Sequence, residues 1–121
     1  MSTVPESFDL YRQAWNETDP ERIRPLLEKA VAPDVLFVDP ANTTQGIDEL
    51  EAMILRTHQA MPGAQYLQAS GIDGHNNRYR YRWEVRPNPD TVIPGMDFVT
   101  LDDQGRLQRI DGFFGDFAPQ V

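Results

Sequence analysis

The chain has 121 residues, of which 40% are hydrophobic and 25% charged, and these values predict a single globular domain over residues 1–121. Its 19 acidic and 11 basic residues give a formal net charge of -8, so we expect no binding to nucleic acid or to an anionic membrane. Cysteine is absent, which excludes disulfides, thiolate metal sites and cysteine nucleophiles. Because neither a signal peptide nor a long apolar segment is recognisable, we expect a cytoplasmic protein.

The first third of the chain is predicted to be helical. One stripe of an amphipathic helix is marked by apolar residues at spacings of four, three and four: Val4, Phe8, Tyr11 and Trp15. Asp19 can cap the next helix, with Pro20 in its first turn. Because a proline inside a helix removes a backbone hydrogen bond, we expect a turn there and a short second helix beginning near Pro25.

A short strand and a third helix are predicted next. The β-rich run 35–38 reads as a strand that Asp39 and Pro40 close. Segment 41–46 consists of turn-forming residues and is predicted to be a loop. A third helix then ends at Pro62 and Gly63, and its apolar face carries Ile47, Leu50, Ile54, His58 and Met61.

The remainder of the chain is predicted to form antiparallel strands. We expect strands over 64–72, 78–86, 95–101 and 106–114, with a polar turn at 73–77, a proline-containing loop at 87–94 and a hairpin turn at 102–105. Strand 78–86 alternates aromatic or apolar residues at odd positions with mainly arginines at even positions, which predicts two different faces. Helices followed by a meander predict an α+β fold, with N-terminal helices packed on one face of a curved, mainly antiparallel sheet.

Asp97 is the most unusual residue of the predicted strands. It lies in the sequence Gly-Met-Asp-Phe-Val, and segment 95–105 contains no basic residue. Aspartate is disfavoured inside strands, and burial among apolar neighbours would raise its pKa and keep it protonated. The alternatives are an aspartate that faces water at a sheet edge, or one paired with an arginine of the next strand.

Three further residues are candidates for chemistry. Asp39 ends a strand beside a loop, where functional carboxylates often lie, but an aspartate before a proline also commonly forms a turn. Tyr11 is either a core tyrosine or one whose hydroxyl points into a cavity. His58, on the apolar face of the third helix, is more typical of a structural histidine than of a catalyst. The two histidines lack carboxylates at ligand spacing, so we expect no metal site.

The order of these elements resembles the NTF2-like superfamily, an α+β cone that includes the ketosteroid isomerases and the SnoaL-like polyketide cyclases. The resemblance covers about residues 5 to 117. Tyr11, Asn16 and Asp19 follow the spacing of the isomerases' first helix, and Val38-Asp39-Pro40 is similar to the segment that carries their general base. Asp97 precedes a hairpin with Gly105-Arg106, as the oxyanion-hole aspartate does, and the final Phe113-Phe114-Gly115 is similar to the family's last strand.

The resemblance implies an enzyme that moves a proton α to a carbonyl group without a metal or organic cofactor. Asp39 would remove the proton, while Tyr11 and a protonated Asp97 would donate hydrogen bonds to the enolate oxygen. We expect Tyr11 and Asp97 to lie within hydrogen-bond reach of each other, with Asp39 on the opposite wall of the pocket. The expected ligand is a hydrophobic small molecule in an apolar pocket, and its expected contacts are Trp15, His58, Trp83 and Phe113. The reaction would be an isomerisation or an aldol-type cyclisation.

Other activities and assemblies remain open at this point. Asp116 is an alternative acid–base group for a cyclisation, and His58 with an aspartate would suit a dehydration, so a lyase or hydrolase is also possible. The competing hypothesis is a non-catalytic module for ligand binding or dimerisation. Because helices cover only one face of the sheet, we expect a homodimer through the other face.

Overall fold

Three helices pack on one face of a curved, seven-stranded sheet in the computed structural model, which describes residues 4–120. The helices are α1 (Ser7–Asn16), α2 (Pro20–Ala30) and α3 (Ile47–Ala60). The strands are β1 (Val31–Val38), β2 (Thr43–Gln45), β3 (Gln65–Gln68), β4 (Asp73–His75), β5 (Arg78–Asn88), β6 (Thr91–Leu101) and β7 (Leu107–Phe114). No helix in this part of the chain has the length and apolar character needed to cross a membrane.

The sheet is mainly antiparallel, as predicted. Its strand order is β2-β1-β7-β6-β5-β3, and β4 also pairs with β5. The exception to the antiparallel pairing is β1 with β7, which run parallel and place Val38 opposite Asp111. This pairing joins the first long strand of the chain to the last one, so the segment after β1 lies beside the middle of the sheet.

Helix α2 is continuous, and the predicted break at Pro25 is wrong. Asp19 accepts a hydrogen bond from the backbone N–H of Glu21 and caps the helix, as expected. Pro25 removes one backbone hydrogen bond from the interior, at a cost of about 3 kcal/mol. The same helix buries Ile23 and Leu27 completely, and each fully buried aliphatic side chain contributes about 2 kcal/mol. Burial of the apolar face therefore offsets the proline.

Two segments predicted as loop or turn form short strands instead. Thr43–Gln45 pairs with the end of β1, and Asp73–His75 pairs with the start of β5. Both are held by backbone hydrogen bonds to a neighbour, which polar residues make as well as apolar ones. Strand β1 also begins earlier than predicted, at Val31, and its register against β7 shifts before Leu36.

The predicted loop 87–94 is instead the tip of a long hairpin. Strand β5 continues to Asn88 and β6 begins at Thr91, so the turn contains only two residues. Pro94 is accommodated within β6, where it lies exposed opposite Glu84. The register between the two strands shifts near the tip, between Val85 and Asn88.

The helices and the inner sheet face enclose one hydrophobic core. Its fully buried side chains include Ile23, Leu27, Leu50, Met53, Ile54, Leu107 and Ile110. The predicted alternation in β5 is confirmed over residues 78–83, because the odd positions are partly buried and the even positions are exposed. Tyr79 and Tyr81 reach the ring of Phe8 on α1, with ring centroids 5.3 Å and 6.0 Å away.

Candidate active site

A cavity of about 420 Å³ lies between the inner face of the sheet and helices α1 and α3. Its wall is mainly apolar, and aromatic rings contribute much of it: Phe8, Trp15, Phe37, Tyr66, Trp83 and Phe114. A pocket of this size and character suits a small hydrophobic molecule. The few polar groups of the wall would determine how that molecule is oriented.

The structure brings Tyr11, Asp39 and Asp97 to this one cavity. Tyr11 comes from α1, Asp39 directly follows β1, and Asp97 lies in the middle of β6. The three residues come from distant parts of the sequence. They meet because β1, β7 and β6 are neighbours in the sheet and because α1 packs beside them, with Phe8 against Tyr81 of β5 and Trp15 against Tyr66 of β3.

Asp97 is buried and accepts hydrogen bonds on both carboxyl oxygens. The Tyr81 hydroxyl donates to Oδ2 at 2.8 Å, and the Trp83 indole N–H donates to Oδ1 at 2.9 Å. Burial, together with the nearby charges of Asp39 and Asp111, raises the pKa of Asp97 to about 6 against the lowering effect of the two donors. Asp97 therefore changes its protonation state close to neutral pH.

Asp39 and Asp97 flank Gly112 from the two neighbouring strands, so Asp39 does not lie on the opposite wall of the cavity, where we expected it. Its Oδ1 accepts hydrogen bonds from the backbone N–H groups of Ala41 and Asn42, at 2.9 Å and 2.7 Å. The Asn42 side-chain amide donates to the same oxygen at 3.2 Å. The turn predicted from the Asp-Pro sequence thus exists, and it fixes the orientation of a carboxylate that also lines the cavity.

Two glycines leave the space that this arrangement needs. A Cβ atom at Gly112 would lie 3.1 Å from Asp97 Oδ1 and 3.2 Å from Asp39 Cβ. A Cβ atom at Gly95 would lie 2.1 Å from a ring carbon of Trp83. Gly112 therefore leaves room for the side chains of both aspartates on either side of it, and Gly95 makes room for the indole that binds Asp97.

The Tyr11 hydroxyl is buried and has no acceptor for its proton among the described residues, while the nearby Trp15 indole N–H, a donor to the phenol oxygen, acts to lower its pKa. We expected it to bind Asp97, but Tyr81 occupies that position because it lies directly opposite Asp97 on the neighbouring strand. Burial raises the pKa of Tyr11 well above its ordinary value, and the charge of Asp97 adds to this effect. The hydroxyl thus stays protonated, and it is a hydrogen-bond donor whose partner is missing.

Two of the four expected ligand contacts line the cavity, and two do not. Trp15 and Trp83 are part of the wall. His58 lies outside it, and its Nε2–H donates to the Trp15 carbonyl oxygen at 2.6 Å, which ties α3 to α1. Phe113 does not line the cavity, because alternation in β7 places the neighbouring Phe114 on the cavity side instead. Both rings remain about half exposed at this end of the strand.

Asp116, the alternative acid–base group, does not line the cavity either. Its side chain is 89% exposed, and its carboxylate lies 3.4 Å from Arg82. The exposed position of Asp116 argues against its role as an acid–base group in a cyclisation. The position of His58 outside the cavity argues against its role in a dehydration. In residues 4–120 no group of three or more acidic or histidine side chains is placed to hold a metal ion.

Sequence reasoning missed the roles of Tyr81, Phe114 and Gly112, and it named Trp83 only as a ligand contact. The sequence did contain an indication for Tyr81. Tyr81 and Trp83 occupy odd positions of the strand 78–86, whose odd face was predicted to be apolar. Which residues of the next strand lie opposite Tyr81 and Trp83, however, depends on the position of the hairpin turn.

Comparison with solved structures shows that NTF2-like proteins have the same fold. An NTF2-like protein of unknown function from Exiguobacterium sp. 255-15 superimposes with a TM-score of 0.75, at 18% identity over 92% of this chain and 99% of its own. A candidate polyketide cyclase from Sinorhizobium meliloti gives a TM-score of 0.72, at 17% identity over 89% of this chain and 94% of its own. At these identities the likeness concerns the fold.

A more similar structure carries the assignment further. A candidate isomerase of the SnoaL-like family from Agrobacterium tumefaciens str. C58 is 36% identical, with a TM-score of 0.85, over 91% of this chain and 95% of its own. The sequence profile of the SnoaL-like domain matches residues 8–110. The chain belongs to the SnoaL-like family. Comparison with curated proteins gives no match.

Proposed function

We propose that this protein is an enzyme that transfers a proton at the carbon α to a carbonyl group, in an isomerisation or an aldol-type cyclisation. One observation carries the proposal: a buried carboxyl group with a pKa of about 6 lies in the same apolar cavity as a buried hydroxyl that has no partner. A general base with a pKa near the working pH and a donor for a developing oxyanion are what enolisation requires.

In this mechanism Asp97 is the base. Above about pH 6 it is mainly ionised, and Tyr81 and Trp83 hold its two oxygens in place. Each carboxylate oxygen has two acceptor sites, so each oxygen keeps one site free for the proton of a substrate. After enolisation, the protonated Asp97 returns the proton to another atom of the same substrate, and no further reactant is consumed.

Tyr11 is the donor to the carbonyl oxygen. As the oxygen gains negative charge, a hydrogen bond from a buried phenol strengthens, because the surrounding apolar wall screens it little. The hydroxyl is fully buried and has no acceptor for its proton, so a substrate carbonyl that reaches it after a small shift of the neighbouring side chains replaces an unsatisfied group by a satisfied one. This gain favours the ligand whose carbonyl reaches Tyr11.

The resemblance to the ketosteroid isomerases supports a second assignment, in which Asp39 is the base and a protonated Asp97 donates beside Tyr11. Only Oδ1 of Asp39 accepts hydrogen bonds from the described residues, which leaves Oδ2 available. The two assignments predict opposite pH dependences, because one needs ionised Asp97 and the other needs protonated Asp97.

The test is deuterium exchange at the α-carbons of 2-tetralone, a bicyclic ketone, followed by NMR with and without the protein. We expect the protein to accelerate exchange, with a rate that rises with pH and levels off above about pH 6. Asp97→Asn should reduce the rate by about 10²-fold or more, and Tyr11→Phe by about tenfold. Tyr79→Phe, which removes a phenol that does not line the cavity, is the control.

The outcomes separate the hypotheses. A rate that falls above about pH 6, together with loss of activity in Asp39→Asn, would assign the base to Asp39. If Asp97 is the base, Asp39→Asn should retain activity and shift the profile to lower pH, because a negative charge near Asp97 is removed. Absence of any acceleration by the unmodified protein would refute the enzyme and favour a non-catalytic module.

We also propose that the protein forms a homodimer through the outer sheet face, the face that points away from the helices. Phe98 and Phe113 form an exposed aromatic pair there, with ring centroids 5.8 Å apart. Arg109 and Asp111 carry both signs of charge on the same face. An apolar centre with both charges beside it can pair with a copy of itself about a two-fold axis.

A further inference from the structure

Arg56 differs from the other basic residues in having no acidic partner while lining the cavity. Eight of the eleven lysines and arginines lie within 4.0 Å of a carboxylate oxygen: Arg12, Arg22, Arg24, Arg80, Arg82, Arg86, Arg106 and Arg109. Among residues 4–120, Arg56 makes neither an ion pair nor a side-chain hydrogen bond, although the chain carries 19 acidic residues.

The local sequence explains why Arg56 is unpaired. It lies on α3, and the residues three and four positions away on either side are Ala52, Met53, Gln59 and Ala60. None is acidic, so the helix supplies no partner at the spacing where side chains meet. By contrast, Arg24 on α2 has three carboxylates within reach.

The position of Arg56 in the cavity wall suits recognition of an anion. Arg56 is exposed, whereas Asp97 is buried, so the cation stands where the cavity meets solvent. Besides Arg56 and the two aspartates, the charged residues that line the cavity are Arg12 and Glu84, and both are paired, Arg12 with Asp9 and Glu84 with Arg86. An incoming anionic group therefore finds one free guanidinium, whose planar donors match a carboxylate.

The carboxyl groups of Asp39 and Asp97 determine how such a ligand is oriented in the cavity. Their charges disfavour an anion at the buried end of the cavity, where Tyr11 is the free donor for a neutral carbonyl. We infer that the substrate is a ring-containing keto acid, whose carbonyl reaches Tyr11 while its carboxylate binds Arg56 at the mouth of the cavity. This inference rests on the proposed function, since it takes the carbonyl end as given.

The experiment compares two probes of the same ring system, 2-naphthol and 6-hydroxy-2-naphthoate, by quenching of the tryptophan fluorescence at neutral pH. We expect the carboxylate-bearing probe to bind about fivefold more tightly at low salt, and added salt should reduce this preference. Arg56→Gln should abolish the preference, Arg56→Lys should retain part of it, and Arg56→Glu should reverse it.

Arg78→Gln is the matched control, because Arg78 also has no carboxylate within 4.0 Å among the described residues but does not line the cavity. Its preference should equal that of the unmodified protein. Equal affinity for the two probes in the unmodified protein, or a preference that survives Arg56→Gln, overturns the inference while leaving the proposed chemistry intact. If neither probe binds, both the inference and the ligand pocket are wrong.

Discussion

Tyr81 and Asp97 lie directly opposite each other on neighbouring strands, and the phenol donates to the carboxylate at 2.8 Å. This cross-strand bond is one of two that lower the pKa of Asp97 against the effect of burial. The pKa of Asp97 thus depends on two opposing effects, burial in an apolar pocket and hydrogen bonds from two donors. Substitutions can change each effect separately.

Tyr81→Phe should raise the pKa of Asp97 above its present value of about 6. The substitution removes a hydrogen bond to the charged form and leaves the ring in place, so we expect a rise of about one pH unit. NMR titration of the Asp97 carboxyl carbon measures this directly. Tyr79→Phe is the control, since Tyr79 lies on the same strand without bonding to Asp97, and a similar rise in both variants would contradict the prediction.

Asp97→Asn should change how stability depends on pH. The pKa of Asp97 is raised from 3.8 to about 6 on folding, so between these values the folded state binds more protons than the unfolded state. Stability from this group is therefore complete below about pH 4 and is lost as the pH rises through 6, by about 3 kcal/mol in total. The variant should lack this loss.

Urea unfolding from about pH 4 to pH 7 checks the sign. The stability of Asp97→Asn relative to the unmodified protein should increase with pH across this range. Asp103→Asn, at an exposed position in the turn before β7, should keep the pH dependence of the unmodified protein. Parallel curves for all three proteins would show that Asp97 has an ordinary environment.

Gly95→Ala should displace the Trp83 indole from Asp97. The added methyl group would lie 2.1 Å and 2.3 Å from two ring carbons and 2.6 Å from the Phe113 carbonyl oxygen, so the ring must move. We expect a loss of about 2 kcal/mol in unfolding free energy and a changed tryptophan fluorescence. Gly71→Ala adds a methyl group with no atom within 4 Å and should change neither quantity.

Phe113→Arg should disrupt the proposed dimer. Phe113 is 51% exposed and packs edge-on against Phe98, so an arginine there would place a charge at the centre of the contact. Sedimentation velocity at micromolar concentration should show a dimer for the unmodified protein and a monomer for the variant. Phe117→Arg is the control, because Phe117 is 79% exposed and follows the last strand; a monomeric unmodified protein would refute the dimer.

The sequence predicts much of this fold because amphipathic periodicity marks α1, α3 and the two faces of β5. It also identifies Asp97, since a carboxyl group among apolar strand residues is unusual regardless of its partners. The partners themselves could not be predicted. Tyr81 faces Asp97, and Trp83 faces Gly95, only because the hairpin turns within two residues after Asn88. With a loop predicted over 87–94, the register between β5 and β6 could not be predicted, and this register determines which side chains face each other.

At Asp39 and Pro25 the local sequence indicates a turn and a helix break, and in both cases contacts distant in sequence also matter. The turn at Asp39 was visible in sequence, whereas its position beside Asp97 depends on the parallel pairing of β1 with β7, which lie far apart in the chain. At Pro25 the local propensity for a break was real, but burial of Ile23 and Leu27 outweighed it. Tertiary contacts, which no local pattern encodes, determined both results.

The pairing of β1 with β7 also has a consequence for how the chain acquires its site. Asp39 is made early in synthesis, but Gly112, which separates it from Asp97, belongs to the last strand. A nascent chain that ends at Leu101 leaves one edge of β1 unpaired, with no carboxyl pair. Contacts so distant in sequence form slowly, so we expect the cavity to be complete only after the final strand has paired with β1 and β6.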